Sequence, residues 1–167
     1  MPSLYEITVP VFVQKLGVLD HLLAKAVESG MDDQAVLDAR LAPDMLPLVR
    51  QVQIACDTAK LAITRLAQVA PRAMPDEETT LAQLRERIAK TIAYVQEAAP
   101  AAFEGRETAE ILVKFPSMEL KFTGTSLVTD FTLPNFYFHI TVVYALLRAK
   151  GVAIGKMDYL TGAAKPA

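Results

Sequence analysis

The sequence predicts a mainly α-helical protein, an antiparallel four-helix bundle with a β-hairpin inserted between its third and fourth helices. In three stretches, apolar residues recur at alternating spacings of three and four, which places them along one face of a helix. A fourth stretch is apolar nearly all round, so its neighbours have to enclose it. Proline and glycine residues separate these stretches. The predicted helices cover residues 8–29, 44–70, 80–99 and 133–150, and the hairpin covers residues 109–123.

The first helix is preceded by a turn and ends at a glycine. The run Ser3–Glu6 has the form of a capping box, but Pro10 would interrupt a helix that started there, so we expect a lead-in turn. Gly30 ends the helix as a left-handed cap. The apolar stripe consists of Phe12, Leu16, Leu19, Leu23 and Ala26. His21 lies about 200° around the helix from both Leu19 and Leu23, which predicts a solvated histidine.

The second and third helices each begin with a capping residue. Asp44 is the expected N-cap of the second, and Pro47 is tolerated within its first turn. Its apolar stripe consists of Leu48, Val52, Ala55, Ala59, Ala62 and Leu66. Thr80 and Gln83 form a capping box at the start of the third helix, and Pro100 stops that helix. Its inward residues are Leu84, Ile88, Ile92 and Val95.

Two short runs of alternating apolar and polar residues follow the third helix. Ile111–Phe115 and Leu120–Phe122 flank residues 116–118, Pro-Ser-Met, and this arrangement is typical of a hairpin. An isolated hairpin is only marginally stable in water, so we expect it to lie on the bundle.

The fourth helix is apolar on more faces than a four-helix bundle covers. We expect the core to be filled by Phe136, Ile140, Val143 and Leu147. Phe138, Val142 and Tyr144 remain, and either the hairpin or a second subunit has to cover them. A two-fold arrangement is the commonest solution, so we predict a homodimer that buries part of the fourth helix or the hairpin.

Composition and charge exclude several classes of protein. The 17 basic and 19 acidic residues give a formal charge of −2, and the lack of a basic excess disfavours nucleic-acid binding. The single Cys56 excludes an internal disulfide and fits a reducing compartment. Residues 1–13 lack the basic start of a signal peptide, and the longest uncharged run, Phe131–Leu147, is short for a membrane span. We expect a cytoplasmic, single-domain protein, residues 1–167, in which residues 162–167 form a frayed tail.

The run Leu133–His139, which reads Leu-Pro-Asn-Phe-Tyr-Phe-His, is followed by Tyr144–Arg148 and Gly151–Leu160. Together with parts of the second helix between Gln51 and Leu66, these segments resemble the bacterial domain-of-unknown-function family numbered nineteen ninety-three. The resemblance covers essentially the whole chain. That family is grouped with the DinB/YfiT-like four-helix bundles, which implies the same fold and a superfamily of metalloenzymes with a divalent metal between helices. Some of these bundles are transferases or isomerases that use small-molecule thiols.

The metal site that the resemblance implies has one histidine on the second helix and a His-x-x-x-His pair on the fourth. Residues 44–70 contain no histidine, and His139 has Val143 four residues later and Asn135 four residues earlier. A catalytic metal site needs about three protein ligands. We therefore predict no metal cofactor, with His139 as the ligand only if a divalent metal site exists. Otherwise His139 is a pocket or core histidine that hydrogen-bonds Asn135 or a neighbouring helix.

Two functions stay open. The first is a small-ligand-binding or interaction module with a degenerate metal site, in which Asn135, Tyr137 and His139 bind the ligand. Asn135 and His139 would then face a partly polar cleft between the second and fourth helices. The second is the metal-dependent, thiol-using transferase or isomerase that the superfamily implies. The ligand count favours the first function, and the sequence identifies no catalytic residue. We interpret Asp57 as a solvated charge or a partner of a lysine, and Cys56 as inert packing.

Overall fold

Four long helices carry the core of the protein, in a computed structural model that describes residues 2–163. In chain order the helices are α1 (Val9–Glu28), α2 (Asp33–Leu37), α3 (Leu48–Ala67), α4 (Leu81–Gln96), α5 (Gly124–Ser126), α6 (Leu133–Ala149) and α7 (Lys156–Thr161). The antiparallel strands β1 (Glu110–Lys114) and β2 (Glu119–Thr123) lie between α4 and α5. The predicted fold class, including the position of the hairpin, is confirmed. Residues 164–167 of the predicted tail lie outside the described residues.

The long helices enclose one apolar core. Both α1 and α3 pack against α4 and α6. The stripes predicted from the sequence are buried, apart from Ile92, which is half-buried. Phe12 of α1 meets Phe136 of α6 edge-to-face, with ring centroids 5.0 Å apart, and burying each such side chain stabilises the fold by roughly 1.5–3 kcal/mol. None of the helices in the described part of the chain combines the length and apolar character that crossing a membrane requires.

The predicted start of the second long helix is wrong. Asp44 is not an N-cap, because α3 begins only at Leu48, with Pro47 before it in extended backbone at φ −69° and ψ 165°. A proline disfavours helical backbone at the residue before it, so Leu46 cannot belong to the first turn. The segment before α3 forms a turn instead, in which the N–H of Leu48 donates to the carbonyl of Ala39 at 2.9 Å.

Two predicted capping pairs form, one in the turn before α1 and one at the start of α4. In the lead-in turn before α1, the N–H of Glu6 donates to Ser3 Oγ at 3.2 Å, and the Ser3 N–H donates to the Glu6 carboxylate at 2.7 Å. At α4, Thr80 Oγ1 accepts from the N–H of Gln83 at 3.2 Å. The side chain of Gln83 accepts from the N–H of Thr79 at 2.7 Å, so the return bond of this box falls one residue earlier than predicted.

Helical backbone leads into α6 before its proline. α5 continues into a wide π-helical turn, Leu127–Thr132, which joins α6 directly. Pro134 then lies in the first turn of α6. It has no N–H that could bond to a carbonyl of the preceding turn. We attribute the wide turn to this proline, whose ring clashes with the carbonyl four residues earlier in regular α-geometry.

The hairpin covers the π-helical turn and leaves part of α6 open. Ile111 and Val113 of β1 are buried, and Phe122 of β2 lies with its ring centroid 5.5 Å from that of Phe131. Phe138 of α6 remains 53% exposed. The sequence offered two covers for the outer face of α6, the hairpin or a second subunit. For Tyr144 the structure shows a third, because its ring lies 5.8 Å from that of Tyr159 on α7.

α7 packs against the outer side of α1, and this corrects the prediction for His21. Its Nε2 lies 2.8 Å from Asp158 Oδ1, and its side chain is only 14% exposed. Lys15 donates to the carbonyl of Tyr159 at 3.2 Å and lies over that ring, 5.0 Å from its centroid. The N–H of Gly162 donates to the carbonyl of Asp158 at 2.9 Å. The apolar spacing of α1 indicates which face lies in the core. It does not indicate that a further helix packs against the opposite face.

Candidate functional site

Four polar side chains meet between α3 and α6, and we call them the α3–α6 seam: Gln51, Thr58, Asn135 and His139. Asn135 Nδ2 donates to Thr58 Oγ1 at 2.8 Å. His139 Nδ1 lies 2.6 Å from Gln51 Oε1. Residues seven apart on one helix and four apart on another each share a face, which allows the two bonds to form side by side. The pairing runs in opposite chain directions, so α3 and α6 are antiparallel.

The His139–Gln51 pair is enclosed. The two residues are 8% and 2% exposed, and Gln51 Nε2 donates to the backbone carbonyl of Leu46 at 2.9 Å. Burial lowers the pKa of His139, because the protein around it solvates a charge less well than water. The imidazole is therefore neutral near pH 7. The ring of Phe138 stands edge-on to it, with centroids 5.2 Å apart and an interplanar angle of 87°.

Tyr137 lies on a different side of α6. It is two residues from both Asn135 and His139, which corresponds to about 200° around the helix. Burial, and secondly the neighbouring Tyr159, raise the pKa of its phenol, so Tyr137 belongs with the surroundings of α7. The structure brings Asn135 and His139 together and leaves Tyr137 apart from them. Sequence reasoning missed Gln51 and Thr58 as their partners, although the spacing of seven on one helix is a usable signal.

The seam does not fit the divalent metal that the superfamily implies. It offers one imidazole, two amides and a hydroxyl, and Gln51 Oε1 is already hydrogen-bonded to His139 Nδ1. Amide oxygens are weak ligands for zinc and other transition metals, which prefer imidazole, thiolate and carboxylate. Within residues 2–163, no three His, Cys, Asp or Glu side chains are grouped so as to hold a metal ion.

A separate ionic cluster surrounds Arg87 of α4, which is 3% exposed. Its guanidinium lies 3.0 Å from carboxylate oxygens of both Glu78 and Asp76 and 3.1 Å from Asp57. Asp57 also pairs with Lys60 at 2.9 Å, so it is a structural ion-pair partner, as the lysine interpretation expected. These bonds fasten the segment before α4 to α3. A cavity of about 330 Å³ lies beside this cluster rather than beside the seam.

Cys56 is fully buried next to this cluster. Burial raises the pKa of its thiol to about 12. The thiolate is the reactive form of cysteine, so Cys56 is inert packing rather than a nucleophile.

Comparisons with known proteins agree on the family of this chain. Residues 4–160 match the model of the family described as "Domain of unknown function (DUF1993)". The structure is similar to the crystal structure of a DinB family member from Shewanella denitrificans, with 40% sequence identity and a TM-score of 0.85. That match covers 98% of this chain and 94% of the other. Comparison with curated proteins gives no match. The chain therefore belongs to the DUF1993 family of DinB-like helical bundles.

Proposed function

We propose that this DUF1993 protein is a small-ligand-binding module that acts without a resident metal, with the α3–α6 seam as its site. One observation carries the proposal. Where the superfamily implies three metal ligands, this chain has a single imidazole, His139, whose Nδ1 is bonded to an amide. The groups of the seam are uncharged near pH 7, and their chemistry is hydrogen bonding rather than metal coordination.

The alternative function, a metal-dependent and thiol-using transferase or isomerase, needs ligands that the seam does not offer. A metal in such an enzyme stabilises the thiolate of the bound thiol. Two further strong ligands would have to join His139, and its neighbours Gln51, Asn135 and Thr58 are an amide, an amide and a hydroxyl. This donor set supports the ligand-binding module over the enzyme.

We also propose that the protein forms a homodimer. Exposed apolar side chains lie on both elements that the sequence indicated as its interface. Phe138 of α6 is 53% exposed, and the hairpin exposes Leu112, Phe115 and Met118. Surfaces of this kind usually mark an interface between proteins. For the compartment we propose the cytoplasm, because the only cysteine, Cys56, is a free thiol.

Metal analysis tests the proposed function most directly. The protein is produced without chelators and without a nickel column, and its zinc, nickel and iron are measured by plasma mass spectrometry. We expect far less than one equivalent of each, in the wild type and in His139→Ala alike. One equivalent that is present in the wild type and lost in His139→Ala would contradict the proposal.

A ligand screen tests the location of the site. Small organic molecules are added to ¹⁵N-labelled protein, and the amide signals of α3 and α6 are followed by NMR. We expect binders to shift the signals of Asn135 and His139, and His139→Ala to abolish that response. Tyr137→Phe is the matched control, because it changes the other side of α6 and should leave binding intact.

A further inference from the structure

The bond between Gln51 and His139 determines which imidazole nitrogen can meet a ligand. We propose that Gln51 holds His139 in the Nδ1–H tautomer, so that Nε2 accepts a hydrogen bond from an uncharged ligand. Such a ligand carries an O–H or N–H group beside an apolar group. The inference rests on the proposed function and specifies the class of ligand for that site.

The orientation of the Gln51 amide is fixed from its far end. Its Nε2 lies 2.9 Å from the carbonyl oxygen of Leu46, and a carbonyl can only accept a hydrogen bond. The oxygen of the amide, Oε1, is therefore the atom that faces His139, at 2.6 Å from Nδ1. Because Oε1 can only accept, Nδ1 has to carry the proton. A neutral imidazole has one N–H, so Nε2 is left with a free lone pair.

The surroundings keep the imidazole in this neutral form. Gln51 is itself uncharged and 2% exposed, so it brings no negative charge to the imidazole. Burial lowers the pKa of His139, in agreement with the geometry. A neighbouring carboxylate would act in the opposite sense, and the hydrogen-bonding partner here is an amide.

Nε2 of His139 remains open to a ligand. It has no hydrogen-bonding partner within residues 2–163, whereas Nδ1 has one. In that part of the chain, Arg87 Nε is the fully enclosed side-chain atom that lacks a partner. Nε2 of His139 also lacks a partner, so it is not fully enclosed. Nε2 therefore keeps some contact with solvent, although His139 as a whole is only 8% exposed.

The free atoms around this point define a complementary ligand. Asn135 uses its Nδ2 to bond Thr58, which leaves its Oδ1 as a second acceptor one turn from His139. In this tautomer Nε2 of the imidazole can only accept, so a ligand that bonds to it has to supply the hydrogen. Phe138 stands against the His139 ring, with ring centroids 5.2 Å apart. This apolar side chain favours an apolar group beside the donor.

The tautomer can be measured without any ligand. Two-bond ¹H–¹⁵N NMR spectra distinguish a protonated from an unprotonated ring nitrogen, and at neutral pH we expect Nδ1 protonated and Nε2 unprotonated. Gln51→Met removes the acceptor at similar volume and should give a mixture of tautomers. Thr58→Val breaks the other bond of the seam and should leave the tautomer unchanged. A protonated Nε2 in the wild type, or no change in Gln51→Met, would overturn the inference.

Phenol and anisole test the class of ligand. The two have similar shapes, but only phenol has an O–H donor. We expect phenol to shift the Nε2 signal and to bind about fivefold more tightly than anisole, which corresponds to one net hydrogen bond. His139→Phe keeps an aromatic ring and should remove that preference. Equal binding of both probes, or no response of Nε2 to phenol, would overturn the ligand class. One equivalent of metal bound through His139 would instead overturn the proposed function.

Discussion

Replacing Arg87 by methionine tests whether the buried ionic cluster stabilises the fold. The substitution keeps much of the side-chain volume and removes the positive charge. Each of the three carboxylates retains another partner: Asp57 keeps Lys60, Asp76 keeps Arg50, and Glu78 keeps the side-chain amide of Gln53 at 2.7 Å. Glu78 is affected most, because it is 12% exposed and its remaining partner has no charge.

The size of the effect follows from these exposures. Removing one partner of a buried ion pair costs about 3–5 kcal/mol. Asp57 and Asp76 are each 35% exposed, so water compensates part of their loss. We therefore expect the lower end, about 3 kcal/mol, for Arg87→Met. For a domain of this size that loss lowers Tm by roughly 6–12 °C.

The matched control lies two residues away on the same helix. Arg85 pairs with Asp20 at 2.7 Å, and the two side chains are 39% and 36% exposed. Exposed pairs contribute about 0–1 kcal/mol, so Arg85→Met should change stability little. Urea unfolding of both variants gives the free energies directly. If the loss for Arg87→Met came within about 0.5 kcal/mol of that for Arg85→Met, burial would not be the cause and the reasoning would fail.

Three further predictions concern pH and assembly. Burial lowers the pKa of His139, so below about pH 6.5, the ordinary pKa of histidine, the unfolded chain binds more protons than the folded one. The free energy of unfolding should therefore fall as the pH is lowered from about that value. His139→Phe should remove this part of the pH dependence measured by urea unfolding. The hydrogen bond from His21, and secondly the backbone N–H of residue 155, lower the pKa of Asp158. Its contribution to stability is therefore fully present above the ordinary value of 3.8 and is lost as the pH falls through its lower folded pKa, where hydrogen exchange in α7 should accelerate. Asp158→Asn should show fast exchange in α7 already at pH 7. Light scattering after size exclusion should give about twice the chain mass of 18.2 kDa. Phe138→Glu should halve that mass, whereas Met157→Glu, at an exposed position of α7, should not. A wild-type mass near that of one chain would exclude the dimer.

The long helices could be predicted because apolar spacing reports burial in the core. The stripes from Phe12 to Ala26 and from Leu48 to Leu66 lie inside, and α6 runs from Leu133 to Ala149, close to the predicted 133–150. The start of α3 could not be obtained from capping preference alone. Asp44 is a good capping residue, but the backbone restriction that Pro47 places on Leu46 outweighs it.

The candidate site could be predicted only in part, because the side chains that bond to Asn135 and His139 come from another helix. Asn135 and His139 share a face of α6 by spacing alone, and the structure places them together. Gln51 and Thr58 are ordinary polar residues on a helix until the neighbour of α3 is known. Tyr137 entered the predicted site through its position in the sequence, although helical geometry alone places it on another side of α6.

The position of α7 on α1 has a consequence for how the chain folds during synthesis. His21 and Asp158 are separated by 137 positions, and Lys15 and Tyr159 by 144, so α1 cannot obtain its outer cover until the residues of α7 have left the ribosome. Contacts at such separations form late, because closing the long loop between them costs entropy. We expect a chain that ends at Gly155 to show faster proteolysis within α1 than the full chain. The outer face of α1 is thus covered only after α7 has been made.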